Sequence, residues 1–298
     1  MPHTLISALD LAVLLRDPAS SDLDVLVLDC RFSLAAPHAG QQAYAQGHIP
    51  GAVYVSLDQD LSGAKTGLNG RHPLPAPEAF NATLQRWGLR PDTEVIAYDD
   101  AGGMFAARAW WMLRWMGHPR VRVLDGGWAQ WVAQGGPVHT TPTLRVPSDF
   151  KGRAQDAALV RVDQVQAHLG DRSAMQLIDA RAPDRFRGEN ETLDPVGGHI
   201  PGALNRFFQL NLKADGCFKS PEQLREEFTA LLAASSVGAV VHQCGSGVTA
   251  CHNLLAMEHA GLSGTRLYAG SWSEWCADQG RLSLPPGCQS PLPPGSAT

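Results

Sequence analysis

The sequence predicts an α/β chain built as two tandem units of one kind, each a parallel sheet covered by helices on both faces. Three observations predict it. The 298 residues suit about two domains rather than one. The hexapeptide Gly47-His48-Ile49-Pro50-Gly51-Ala52 returns unchanged at Gly198-His199-Ile200-Pro201-Gly202-Ala203, the mark of an internal repeat. Short apolar runs also alternate with helical periodicity, and that alternation builds parallel sheets buried on both faces.

The repeat extends to either side of the hexapeptide. Upstream, Val25-Leu26-Val27-Leu28-Asp29-Cys30-Arg31 answers to Met175-Gln176-Leu177-Ile178-Asp179-Ala180-Arg181. Downstream, Leu124-Asp125-Gly126-Gly127-Trp128 answers to Tyr268-Ala269-Gly270-Ser271-Trp272. In the first copy, Val95-Ile96-Ala97-Tyr98 reads as a strand ending at Asp99. In the second, residues 174–179 and 237–243 are apolar and β-branched enough for buried strands. Between them Ser220-Pro221-Glu222 opens a helix over 221–233, with an N-cap followed by proline at the first helical position. A further helix over 248–260 stops at Gly261, and a third strand follows around 265–269. The units are expected at 1–140 and 159–284, joined by a linker at 141–158. Pro137, Pro142, Pro147, Ser148 and Gly152 break any period there. Residues 285–298, rich in Pro, Ser and Gly, are expected to form a disordered tail. The ligand site of such a sheet lies at the carboxyl ends of its strands.

Composition narrows the function. With 44% hydrophobic and 18% charged residues the chain reads as soluble and globular. The net charge of -5 gives no reason to expect nucleic acid or an acidic membrane as partner. Asp10, Arg16 and Asp17 interrupt the apolar start, which lacks a basic leader. No run approaches the ~18–20 apolar residues of a membrane span, so a cytoplasmic location is expected. The six cysteines, Cys30, Cys217, Cys244, Cys251, Cys276 and Cys288, show neither a CxxC pair nor zinc spacing. No metal is expected.

One cysteine stands apart. Cys244 sits where the strand through Val240 and Val241 ends and a helix begins, with Gly245, Ser246 and Gly247 between. Glycines let successive backbone N–H groups turn toward one point and form a nest for an anion. The helix start adds its positive dipole end. A cysteine there is favoured as thiolate, the nucleophilic form. The first copy keeps the turn as Asp99-Asp100-Ala101-Gly102-Gly103 but has no thiol. One site per chain follows.

The tandem halves, the paired GHIPGA segments, the matched DGGW and GSW segments, and Cys244-Gly245-Ser246-Gly247-Val248-Thr249 together resemble the two-domain rhodanese family. The resemblance covers about residues 20–278, and the loop is similar to that of its 3-mercaptopyruvate sulfurtransferase branch. It implies two rhodanese-like domains, the second catalytic. It also implies a sulfurtransferase that carries sulfane sulfur as a persulfide on Cys244. Gly245, Gly247, Val248 and Thr249 would cradle the donor, and Arg185 matches the family's substrate-binding arginine. Ser246 would donate to the donor's ketone or move a proton. Asp58 and His72 match positions that the branch places across the interdomain cleft. The acceptor would be a small thiol, a thioredoxin-like dithiol or cyanide, and no cofactor is implied.

The donor is read from charge. Thiosulfate is a dianion and gains from nearby cations, yet no Lys or Arg lies between Cys244 and Thr249. A charge pair at ~4 Å is worth about 4 kcal/mol at an effective dielectric of ~20. The neutral loop therefore favours 3-mercaptopyruvate, whose carboxylate lies away from its thiol. Arg185 is its expected anchor; Arg181, which repeats Arg31, reads as a structural ion pair, and Arg187 as a solvated charge. One position departs from the branch: Asp194 stands where a second arginine is usual, so thiosulfate remains the alternative donor. His48 and His199 recur in both halves and read as scaffold, Cys251 as packing, and the tryptophans as core. A cysteine phosphatase needs Cys-x5-Arg, and that slot is Ala250. A purely binding module would have no use for Cys244.

Overall fold

The structure is a computed structural model that describes residues 4–16, 24–233 and 235–282. The expected tail and Cys288 lie outside the described residues. The first unit runs β1 (Leu5–Ile6), α1 (Ala8–Arg16), β2 (Val25–Asp29), α2 (Ala39–Gln46), β3 (Ala52–Tyr54), α3 (Pro77–Arg86), β4 (Glu94–Tyr98), α4 (Met104–Trp115), β5 (Val121–Leu124) and α5 (Gly127–Ala133). The second runs α6 (Val162–Ala167), β6 (Gln176–Asp179), α7 (Pro183–Arg187), β7 (Leu204–Asn205), α8 (Pro221–Leu232), β8 (Val240–Gln243), α9 (Ala250–His259), β9 (Arg266–Leu267), α10 (Ser271–Trp275) and α11 (Gln279–Leu282).

Among the described residues the first sheet has the order β1-β5-β4-β2-β3 and the second β7-β6-β8-β9, with every pairing parallel. Read from the other edge, β9-β8-β6-β7 repeats β5-β4-β2-β3. Where β1 flanks β5, a single parallel bridge joins Leu159 to Leu267 on β9. The duplication seen in the sequence is thus a duplication of topology. In each sheet the winding order switches between two parallel central strands, β2 and β4 or β6 and β8: the next strand after the first is added on one side and the later ones on the other. That switch opens a crevice at their carboxyl ends.

Strand residues alternate between two cores, as period 2 requires. Leu26 and Leu28 of β2, with Val95 and Ala97 of β4, face a core that continues into the second unit through Ile178 and Val240. Val27, Ile96 and Tyr98 face outward onto a separate cluster with Leu11 and Trp131. Leu177 and Val241 do the same in the second unit with Trp272 and Trp275. The shared core joins the units, with α4 packed against α9. Each large apolar side chain buried there contributes about 1.5–3 kcal/mol.

Local differences from the expected elements have simple causes. Residues 237–239 form a 3-10 turn, so β8 starts at Val240. Helix α9 starts at Ala250 rather than at 248, leaving residues 245–249 as open loop. Helix α8 has the expected cap: Ser220 Oγ accepts from Gln223 N, and the Gln223 side chain answers at the Ser220 amide. The linker is irregular but tied down. Just before it His139 pairs with His48 through two backbone hydrogen bonds of 2.8 and 2.9 Å; within it the Thr141 carbonyl lies 3.1 Å from His48 Nε2 and Arg145 binds Asp24 at 2.7 Å.

Candidate active site

The turns after β4 and β8 are built alike. The Asp99 carbonyl accepts from Trp128 N at 2.8 Å, and the Cys244 carbonyl accepts from Trp272 N at 3.0 Å. Asp99 and Cys244 therefore occupy the same place in the two units, and their side chains meet the same cradle. In the first unit the cradle is full. Asp99 Oδ1 accepts from Ala101 N and Gly103 N, both at 2.8 Å, and Oδ2 accepts from Phe105 N at 2.8 Å and Ala106 N at 2.9 Å. Burial pushes this carboxyl above its usual range and the four amides oppose the push. With two N–H groups on each oxygen there is no lone pair left for a proton, so the geometry holds the carboxylate. The sequence showed only that the thiol had gone; the structure shows that an internal anion has taken its place.

In the second unit the matching amides are Ser246, Val248, Ala250 and Cys251. The first three donate to no protein acceptor among the described residues, and Cys251 N turns to Val248 O at 3.1 Å. Cys244 is buried, with its own amide held by Ser271 Oγ at 3.1 Å. Gly247 has φ +77°, and a Cβ there would run into the Ala269 carbonyl. Only glycine fits that turn.

The site lies between the units. A cavity of about 190 Å³ is lined by Cys244, Gly245, Ser246, Val248, Thr249 and Arg185 from the second unit and by Arg71, His72, Met104 and Phe105 from the first. At ~30 Å³ per water, it suits a donor of a few heavy atoms. The expected residues Cys244, Ser246, Arg185, Gly245, Val248, Thr249 and His72 are brought together here. Gly247 shapes the turn from behind, and Asp58 stands one residue further out, behind His72.

His72 is buried, and its Nδ1 lies 2.8 Å from Ser246 Oγ. Burial first, then the charges of Arg108, Lys65 and Arg71, push this imidazole down to about 3, so it is neutral at pH 7. Neutral His72 accepts from the Ser246 hydroxyl when Nε2 carries the ring proton. Nε2 points toward Asp58 Oδ1 at 3.7 Å, too long for a hydrogen bond. Asp58 also lies 3.8 Å from Lys65 Nζ.

The loop itself carries no cation, as read, but the expectation of a cation-free cradle needs correcting. A Cβ on Gly245 would lie 2.7 Å from Arg71 Nη2 and 3.6 Å from Arg185 Nη2, so two guanidinium groups stand over the loop. They come from α7 and from a loop of the other unit, which loop spacing cannot reveal. Arg185 is held by Glu191 at 2.7 and 2.9 Å. Asp194, buried, ion-pairs with Arg71 and lies 3.7 Å from Arg185. The acid that departs from the family pattern thus holds an arginine supplied by the first unit. Two arginines and two acids sum to no net charge, leaving directed N–H donors rather than a strong positive field.

Arg71 was missed by the sequence reading; its adjacency to His72 in Gly70-Arg71-His72 was the available signal. Other residues fall where they were expected. Arg181 binds Asp179 at 2.7 Å and the Gly198 carbonyl at 2.7 Å, and Arg31 binds Asp29 and the Gly47 carbonyl, both at 2.6 Å. His48 stacks on Tyr44 and His199 on Phe186, each with centroids 3.9 Å apart. Arg187 pairs with exposed Glu189. Cys251 is buried, and burial pushes its thiol up to about 12. Trp110, Trp111, Trp115, Trp131, Trp272 and Trp275 are core, whereas Trp128 is half-buried with the Arg31 guanidinium over its ring at 4.5 Å. Among the described residues no cluster of His, Cys, Asp or Glu could hold a metal ion, and no helix is long and apolar enough to cross a membrane.

Comparison with known proteins agrees with this architecture. The family model for the rhodanese-like domain matches residues 12–134 and again 161–278. A probable 3-mercaptopyruvate sulfurtransferase of Pseudomonas aeruginosa is 49% identical over 279 residues, covering 93% of this chain and 96% of that protein. The thiosulfate sulfurtransferase of Bos taurus is 35% identical over 254 residues, covering 84% of each. A crystal structure of a 3-mercaptopyruvate sulfotransferase from Escherichia coli superposes with TM-score 0.77 at 31% identity, covering 90% of this chain and 98% of that one.

Proposed function

We propose, from the premise that the chain belongs to the rhodanese family and is a sulfurtransferase, that it takes sulfur from 3-mercaptopyruvate and carries it as a persulfide on Cys244. The observation that carries this reading is the pair of cradles. The same turn binds a built-in carboxylate in the first unit and, beside a cysteine in the second, leaves three of its four amides without a protein acceptor among the described residues. A nest that selects an anion suits a thiolate and, equally, the persulfide anion made from it.

In the first half-reaction the Cys244 thiolate attacks the donor's sulfur. The carbon–sulfur bond breaks, and its electron pair leaves on carbon as the enolate of pyruvate. The proton that left the donor's thiol ends on that carbon, so proton count is conserved. The Ser246 hydroxyl, hydrogen-bonded to neutral His72, is suited to relay it. Arg185, with Arg71 beside it, faces the donor's carboxylate and steadies the developing charge. In the second half-reaction an acceptor nucleophile attacks the outer sulfur and Cys244 leaves as thiolate. The acceptor we propose is a thiol, a thioredoxin-like dithiol or cyanide, and the setting a reducing compartment such as the cytoplasm, where a free thiolate persists. In this reading the unit at 1–140 makes one wall of the cleft and transfers no sulfur, because Asp99 fills its cradle.

Thiosulfate is the second reading, favoured by the two guanidinium groups over Gly245. Comparing kcat/KM for the two donors on purified protein decides. We expect 3-mercaptopyruvate to lead. Thiosulfate ahead by about tenfold, or ~1.4 kcal/mol, would overturn the donor assignment.

A further inference from the structure

Helix α4 of the first unit sends one arginine into the seam between the units. Arg108 is 0% exposed. Its Nη1 donates to the Gly247 carbonyl at 3.1 Å, and its Nη2 donates to the carbonyls of Leu61 and His72, both at 3.2 Å. Nε has no partner. Among the described residues no carboxylate lies within ion-pair distance of it, whereas Arg71, Arg181 and Arg185 each have one or more. A buried guanidinium answered by carbonyl dipoles and the Cys251 thiol, with no carboxylate, is costly. The Gly247 carbonyl that Arg108 binds also takes the Cys251 thiol, and Cys244 lies three residues before it in the same loop. Burial pulls the guanidinium down, and Cys251 and Cys244 act in the opposite direction. Cys251 stays a thiol, since its Sγ donates to Gly247 O at 3.3 Å.

We propose that Arg108 is a positioning residue that completes the cradle from the first unit. It fixes the floor of the loop through Gly247 and supplies the uncompensated positive charge that the sulfur anion on Cys244 answers. This rests on the reading of Cys244 as the sulfur carrier. The other groups around Cys244 do not replace that charge. Arg181 and Arg185, beyond β6, are tied to Asp179 and Glu191, and Arg71 to Asp194; His72 is neutral; Ser246 and Ser271 carry no charge. The non-catalytic unit is then required for sulfur chemistry as well as for walling the cleft. Arg108 also joins the loop to the His72 segment, so one side chain sets the distance between Ser246 and its partner.

The test is the rate at which iodoacetamide alkylates Cys244 across pH in the full-length protein, with folding followed by near-UV circular dichroism. Arg108→Gln keeps hydrogen-bond donors and loses the charge. Its alkylation profile moves to higher pH by about one unit, about tenfold slower at neutral pH. Arg108→Lys keeps the charge and the wild-type profile. Arg114→Met, on the same helix at the interface with Glu258, leaves the profile where it is and reports on mere loosening of the seam. An unmoved profile in folded Arg108→Gln overturns the proposal, as does an equal shift in Arg108→Lys. Failure of the underlying reading looks different: Cys244→Ser would still transfer sulfur.

Discussion

Replacing Asp99 by asparagine probes the anion cradle without touching Cys244. In the native turn four amides converge on two carboxylate oxygens at 2.8–2.9 Å. Asparagine keeps one acceptor oxygen and points an NH2 group at the other pair, leaving two buried N–H donors unmet. Each unmet donor costs about 1–3 kcal/mol, so the gross loss is ~2–6 kcal/mol. Removing a buried charge returns part of that, and a net loss of about 2–4 kcal/mol is expected. With a urea slope of ~2–3 kcal/mol per M, the unfolding midpoint falls by about 1 M. Urea denaturation followed by tryptophan fluorescence measures it. An unchanged midpoint would mean that the turn does not select for negative charge, and the inference carried across to Cys244 would fail with it.

Further outcomes follow from the same geometry. Arg185→Ala raises KM for 3-mercaptopyruvate more than it lowers kcat, by about tenfold or more, since a charge-assisted hydrogen bond is worth ~1.5–3 kcal/mol; steady-state kinetics would show an unchanged KM if the donor binds elsewhere. Ser246→Ala lowers kcat by about 10²-fold through loss of the proton relay, with little change in the alkylation rate of Cys244. Gly247→Ala, forced to φ +77° against the Ala269 carbonyl, loses transfer and costs at least ~1–3 kcal/mol of stability. Stability also depends on pH. Burial holds His72 and His242 down at about 3 and His252 at about 4, while unfolded imidazoles bind a proton near 6.5. Below pH ~6.5 the unfolded chain binds more protons, so stability is complete above that pH and is lost progressively down toward pH 3–4. At pH 5 each histidine removes about 2 kcal/mol, and Tm at pH 5 should lie well below Tm at pH 7.5; equal values would contradict the neutral burial of these rings.

The fold was legible because the chain states it twice. GHIPGA, the Asp-x-Arg after each central strand and the GGW and GSW turns all map onto equivalent places, and Arg31 and Arg181 make the same bonds in both sheets. The nucleophile was legible because a strand, a cysteine, two glycines and a helix stand in succession. The second cation was not. Arg71 reaches Gly245 across a gap of more than a hundred residues, positioned by Asp194, and only tertiary packing brings them together. Arg108 was hidden for a related reason, since α4 carries two arginines, Arg108 and Arg114, and nothing in the spelling says which is buried and which meets a carboxylate. Asp99 was seen as a missing thiol rather than as a filled site, because backbone amides leave no trace in side-chain spelling. Asp58 and His72 came from family resemblance, and nothing in their local spacing would have paired them with Ser246.

The most direct measurement is the intact mass of the purified protein after a single turnover with 3-mercaptopyruvate and no acceptor. A gain of one sulfur, about 32 Da, should appear, localise to the peptide bearing residue 244, and vanish on adding cyanide. Mass gain on another cysteine, or turnover with no covalent sulfur at all, would contradict the account.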